Sequence, residues 1–155
     1  MKKIILSITA VLTALVMLAS CGKTASEAVG VQEIYQKITE GVAMPEETIE
    51  LIADDLSDYY GIDPAKVAEF AAVQDACGYK DEIVIIKAVD ETSAEEIEAQ
   101  LCDHIEYQKG SMKNYDPAQY NILGSSEVIV NGVYVAMFIS AQQSTMAEIF
   151  NGFFK

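Results

Sequence analysis

The alternation of apolar and polar positions divides the 155-residue chain into one uncharged run and a patterned remainder. Ile4 to Leu18 is apolar apart from Ser7, Thr9 and Thr13. Beyond it, Val31, Ile34, Tyr35, Ile38 and Val42 recur at helical spacing and predict an amphipathic helix over 29–42, with Gly41 near its end and Pro45 beyond. Residues 46–60 are acidic, with Ile49, Leu51, Ile52 and Leu56 as apolar points, and predict a short helix before Gly61. Asp63-Pro64 is a turn or cap signal. Val67 to Val73 then has two readings. One is a helix with Asp63 as N-cap and Pro64 in its first position, which the helix propensity of the alanines favours. The other is a strand.

Glu82 to Val89 (EIVIIKAV) is a β-branched run between charged ends and predicts a strand. Ser93 to about Lys113 predicts the strongest helix. Ser93 is placed as its N-cap, Glu96 follows at capping-box spacing, and Ile97, Leu101 and Ile105 form its apolar stripe. Residues 115–120, with Asp116-Pro117, read as a loop. Residues 127–130 and 133–139 flank Asn131-Gly132, the signal for a two-residue hairpin whose type I′ turn wants positive φ at both positions. Met146, Ile149, Phe150 and Phe153 predict a C-terminal amphipathic helix.

Parallel βα alternation is absent, so the expected class is α+β: an antiparallel sheet of about four strands packed with helices and preceded by an N-terminal helix. In the strand 133–139, Val133, Val135, Met137 and Ile139 point one way and Tyr134, Ala136 and Phe138 the other. A strand apolar on both sides, like Ile83–Ile86, is expected to be central, with both faces covered by helices or by a partner.

The N-terminus reads as an address. Met1-Lys2-Lys3 is basic, the apolar run follows, and Leu18-Ala19-Ser20-Cys21 places small residues before a cysteine. This is the layout of a secretory signal, and its last four residues resemble a bacterial lipobox. Residues 1–20 are then a lipoprotein signal peptide, Cys21 the lipidated first mature residue, 21–28 a tether and 29–155 a single domain. The competing reading is an uncleaved span, since the uncharged stretch Ile4 to Gly22 approaches the ~20 residues needed to cross a bilayer. Small residues and a cysteine at that place favour processing. The expected location is the outer face of a bacterial cytoplasmic membrane, with the membrane as partner through the lipid on Cys21; a diacyl group suffices for stable attachment.

Charge narrows the partners. The chain has ten lysines, no arginine and 24 acidic residues, a formal charge of −14. Two lysines belong to the signal, so the mature chain carries eight against the same 24 acids, or −16. Such a surface repels phosphate backbones, which excludes nucleic acid as an expected partner. With no arginine to clamp an anion, no Gly-rich phosphate loop and no G-x-S-x-G elbow, enzymes of anionic substrates are disfavoured.

The order lipobox, helix, Tyr60-Gly61-Ile62-Asp63, Asp81-Glu82-Ile83-Val84-Ile85-Ile86-Lys87-Ala88, helix, Val128-Ile129-Val130-Asn131-Gly132-Val133-Tyr134-Val135 and Phe138-Ile139-Ser140 before a last helix resembles a family of Gram-positive bacterial surface lipoproteins known as domain of unknown function 4358. The resemblance covers most of the mature chain and implies that Phe70 to Gln74 is a strand paired with 82–89, giving a ββαββα order. It implies no activity, no cofactor and no catalytic residues.

Several residues are candidates for chemistry. Cys77 and Cys102 form an even pair outside the cell once Cys21 is lipidated. A disulfide between them would close a loop of ~25 residues, worth roughly 3 kcal/mol; the alternative is two thiols packed as small hydrophobes. His104, the only histidine, has no second histidine for a zinc site, and Cys102, two residues away on a helix, points elsewhere. It is expected at a helix surface or boundary. Asp54, Asp55, Asp58 and Asp63 are the densest acidic group but lack the calcium-loop pattern, so no metal is expected. Glu91, Glu95, Glu96 and Glu98 favour the dipole of a helix start. Tyr59, Tyr60, Tyr115 and Tyr120, placed in or beside loops, are candidates for recognition.

The leading expectation is a non-catalytic interaction module of the cell envelope, with an envelope protein or a second copy as partner. The alternatives are a small ligand- or cation-binding surface lipoprotein, and an enzyme of envelope polymers or its accessory subunit.

Overall fold

Two strands without polar alternation must be covered on both sides, and that requirement organises the structure. The computed structural model describes residues 29–76 and 80–155; the expected signal peptide, lipidated Cys21 and tether, and Cys77, lie outside them. In chain order the elements are α1 (Val31–Gly41), β1 (Thr48–Glu50), α2 (Ala53–Tyr60), β2 (Val67–Asp75), β3 (Glu82–Ala88), α3 (Glu91–Met112), α4 (Pro117–Ser125), β4 (Val128–Asn131), β5 (Tyr134–Ile139) and α5 (Gln143–Gly152). The five strands form one antiparallel sheet in the order β1-β2-β3-β5-β4. The class is the expected α+β.

β3 lies at the centre, and every residue of β5 beside it is buried. Val84, Ile86 and Ala88 of β3, with Val135, Met137 and Ile139 of β5, pack with Leu56, Ile97, Leu101, Ile105 and Leu123 from α2, α3 and α4. On the opposite face Ile83, Ile85, Tyr134, Ala136 and Phe138 pack with Ile34 and Ile38 of α1 and Met146 and Phe150 of α5. The sheet is thus sandwiched between two helical layers. The edge strands β1 and β4 are only three and four residues long, which limits the unpaired backbone a second sheet might join.

Several expectations are corrected. Of the two readings of Val67–Val73 the strand holds, paired with β3 as the family resemblance implied, and the helical one fails. Asp63 does accept from the Ala65 N–H and Pro64 does open a turn, but that turn ends at Lys66 and β2 follows. Tertiary packing overrides propensity: Ala71 lies in the core with α1 and Ala72 in the core with α2 and α3, where small side chains let the helices approach. The short helix expected before Gly61 is α2, and the residues ahead of it add a strand that was not expected. Thr48–Glu50 pairs with Asp75, Gln74 and Val73, raising the sheet to five strands.

The cap of α3 is Asp90, not Ser93. The Asp90 carboxylate accepts the Ser93 N–H at 2.7 Å, so the helix starts one turn earlier. The expected loop at 115–120 is mostly α4. Asp116 accepts from the N–H groups of Ala118 and Gln119, and Pro117 takes the first helical position, where its missing N–H costs nothing. The hairpin turn sits one residue later than expected. Asn131 pairs with Tyr134, so Gly132-Val133 is the loop, and only Gly132 has positive φ, at +59°. Glycine at the first loop position is the requirement of a type II′ turn.

α1 begins at Gly30, which has no side chain to cap it, and Glu69 of β2 supplies the cap instead. Its Oε2 accepts the Val31 N–H at 3.1 Å, while its Oε1 pairs with Lys87 at 3.3 Å. The Val31 N–H first, and then Lys87, hold the Glu69 carboxyl below the usual range. Its contribution is present above the ordinary carboxylate range and lost as pH falls through its lowered value. Glu69→Gln is expected to speed amide exchange in the first turn of α1, and the wild-type rate should approach that of the variant as the carboxylate protonates. Leu101→Ala and Phe150→Ala each remove a fully buried side chain, one from each helical layer. They are expected to cost about 2–5 and 3–5 kcal/mol respectively, read from denaturant unfolding.

Candidate functional site

The helix ends and the polar side of α3 build one site that the apolar pattern does not reveal. α2 ends on Gly61 in the left-handed region (φ +70°), the Ile62 N–H closes back on the Leu56 carbonyl at 3.0 Å, and both Leu56 and Ile62 are fully buried. This arrangement fixes Tyr60, the last residue of α2, against α3. Gln100 of α3 adds a second tie by donating to the Gly61 carbonyl at 2.8 Å. One and two turns further along the same side of α3 are His104 and Gln108. Glu82, the first residue of β3, faces them.

Glu82 is 2% exposed, unusual for a carboxylate unless it is paired. It accepts from the Tyr60 hydroxyl at 3.4 Å and from the Gln108 amide nitrogen at 2.5 Å, and its Oε2 lies 3.0 Å from His104 Nε2. The Tyr60 ring packs edge-on against the imidazole, with centroids 4.6 Å apart. Gln108 Nε2 also lies 2.7 Å from His104 Nε2, so that nitrogen either donates to Glu82 or accepts from Gln108, according to the imidazole tautomer. Glu82 also fixes the orientation of the Gln108 amide, since turning it over would set two acceptor oxygens face to face. In that orientation Gln108 Oε1 is buried with no hydrogen-bond partner among the described residues.

This cluster forms the floor of an open cleft of about 510 Å³ between α2 and α3. Tyr59 and Tyr107, 53% and 78% exposed, stand among its walls with Asp58 and Met112. No lysine lines it among the described residues.

Of the four tyrosines singled out from sequence, Tyr59 and Tyr60 meet here. Tyr115, strongly exposed beyond α3, and Tyr120 on α4 do not line the cleft. Tyr107 takes a place that the sequence reading left empty. His104 lies at the helix boundary as expected, with a 12% exposed side chain, but it is paired with a carboxylate from a distant strand. The signal for the site was the four-residue spacing of Gln100, His104 and Gln108, one step round the helix from the stripe Ile97, Leu101 and Ile105.

The acidic group at 54–63 divides. Asp55 accepts the Ile52 N–H at 2.8 Å and Asp63 the Ala65 N–H, so both act as caps, while Asp58 lines the cleft. No group of three or more candidate ligands among the described residues is placed to hold a metal. In the first turns of α3, Glu96 pairs with Lys66. Cys102 is exposed on α3; burial of its sulfur first, then the acids Glu98, Asp103 and Glu106, push the thiol up, which makes it a slow nucleophile. The pairing expected for it falls on Cys77, outside the described residues.

An antiparallel sheet between two helical layers, with a carboxylate–imidazole pair at one end of its central strand, is the class these observations define. The chain belongs to the family described as Domain of unknown function (DUF4358), whose model matches residues 42–140. The match runs from the end of α1 to the end of β5 and includes Tyr60, Glu82, His104 and Gln108. No curated protein and no solved structure matches the chain.

Burial, and then the adjoining Glu82 carboxylate, hold the Tyr60 phenol far above its ordinary value of 10.0. The folded state keeps this proton while the unfolded chain releases it, so the stabilisation present below pH ~10 is lost as pH rises above it. The melting temperature should therefore fall on the alkaline side. Tyr60→Phe is expected to flatten that alkaline slope and to lower stability at neutral pH by about 1 kcal/mol for the lost hydrogen bond.

Proposed function

We propose that the chain is a lipid-anchored module on the outer face of a bacterial cytoplasmic membrane, and that it binds a ligand in the cleft between α2 and α3 without transforming it. The anchor reading rests on the basic start, the apolar run and Leu18-Ala19-Ser20-Cys21. No helix among the described residues is long and apolar enough to cross a membrane.

The observation that carries the binding reading is the cleft itself: a polar floor whose members hold one another, beneath exposed aromatic walls. A buried polar group with a few convergent partners and an aromatic rim fixes a ligand's orientation. The non-catalytic reading rests on the lack of a nucleophile beside His104 among the described residues. Ser111, seven residues along α3, donates to the Tyr107 carbonyl, and Cys102 lies on another side of the helix. Tyr60 keeps its proton and serves as a donor.

Two measurements test this. The mature protein is expected to begin at Cys21 with a diacylglyceryl mass, and Cys21→Ala to lose that mass and keep Met1; an intact Met1 in wild-type membranes would overturn the anchor. Amide shifts under a panel of small fragments of mixed charge are expected to cluster at Tyr59, Tyr107 and Gln108. Shifts that avoid all three would remove the cleft as the binding site.

A further inference from the structure

The chemistry of the cleft selects a class of ligand. We infer that it takes an organic cation: an ammonium group on a short aliphatic stem, as in a free alkylamine or a lysine side chain. This rests on the cleft being the binding site.

Three independent features point the same way. The first is charge. The lining carries the carboxylates of Asp58 and Glu82 and no lysine among the described residues, and the only group able to offset them is His104, already paired with Glu82. The chain's net charge of −14 adds a negative field that draws cations and repels anions. The second is the walls. Tyr59 and Tyr107 stand exposed in the lining of one space, and a cation over an aromatic face is attracted by the ring quadrupole. Met112 supplies apolar surface for a stem. The third is the floor. Gln108 Oε1 is a buried acceptor without a partner among the described residues, and its own amide nitrogen lies against Glu82 and His104. An ammonium group brings three donors and no acceptor, which suits the Asp58 and Glu82 carboxylates. A carboxylate or phosphate would set its charge against those of Asp58 and Glu82.

The three features also assign roles. Asp58, exposed at the rim, supplies the charge that meets the ligand first. Glu82, held from behind by Tyr60 and His104, supplies charge at the floor and accepts from the Gln108 amide. Tyr59 and Tyr107 enclose the stem.

The test is calorimetric titration of the full mature chain, lipidated and held in detergent micelles, with four probes: pentylammonium, Nα-acetyl-lysine methylamide, the same compound acetylated on its side-chain nitrogen, and hexanoate. Both cations are expected to bind, and the neutral and anionic probes to bind at least ~10-fold more weakly, the factor a charge-assisted hydrogen bond commands. Equal affinity for the two cations assigns the site to a free amine, and tighter binding of the lysine derivative assigns it to a peptide-borne side chain. Glu82→Gln, close in shape, and Asp58→Asn at the exposed rim should each weaken the cations and leave the weak binding of the neutral probe unchanged. Should Glu82→Gln fold poorly, Asp58→Asn at the exposed rim carries the same comparison. Neutral probe binding as tight as cation binding, or cation affinity unchanged in both charge variants, overturns the inference while the cleft remains a binding site. If none of the four probes binds and the fragment panel also leaves the cleft untouched, the binding reading itself fails.

Discussion

The pairing of β3 with β5 is the constraint on which everything else depends. Both strands carry aliphatic or aromatic side chains on both faces, so neither can lie at an edge or against water. β2 and β4 must therefore flank them, and helices must cover both sides. The antiparallel register sets Val84 opposite Met137 and Ile85 opposite Ala136, so that each face receives one complete apolar set. A slip of one residue would exchange the two sets and leave each helical layer facing the wrong shapes.

The site follows from the same constraint. β3 begins with a charged residue, and its register with Gln74 and Ile139 places that residue at the end of the sheet, still under the helical layer. Glu82 is consequently buried at a place where the apolar core has run out. Burying a carboxylate is expensive unless partners compensate, and α2 and α3 bring Tyr60, His104 and Gln108 to it. The packing of the core thus positions the polar cluster, with the cleft lined by α2 and α3 open above it.

Periodicity made much of this legible. The central strands, the two-sided burial, α1, α3 and α5 were all visible from the spacing of apolar residues. What the pattern could not give were features decided by long-range contact. The alanines of β2 favour a helix locally and become a strand only because β1 and β3 lie on either side of them. Thr48–Glu50 is too short and too polar to announce itself; it is a strand because Asp75, Gln74 and Val73 lie alongside it. Asp116-Pro117 carried a helix-start signal of the same kind as Asp63-Pro64, where propensity drew attention to it. The cleft was hidden for a further reason. Its members are 22 to 26 residues apart in sequence from Glu82, and a lone histidine shows no partner until the sheet brings one.

The start of α1 has a mechanical consequence. Two bonds fasten it: Glu69 of β2 to the Val31 N–H, and the Tyr134 hydroxyl of β5 to the Val29 carbonyl at 2.7 Å. β2 and β5 are the two neighbours of β3. A pull along the chain from residues ahead of Val29 therefore enters the sheet on both sides of its central strand and is shared by two ladders. The first thing to yield under such a load is the pair of bonds at α1, while the α2–α3 layer, on the far face of the sheet, keeps its geometry.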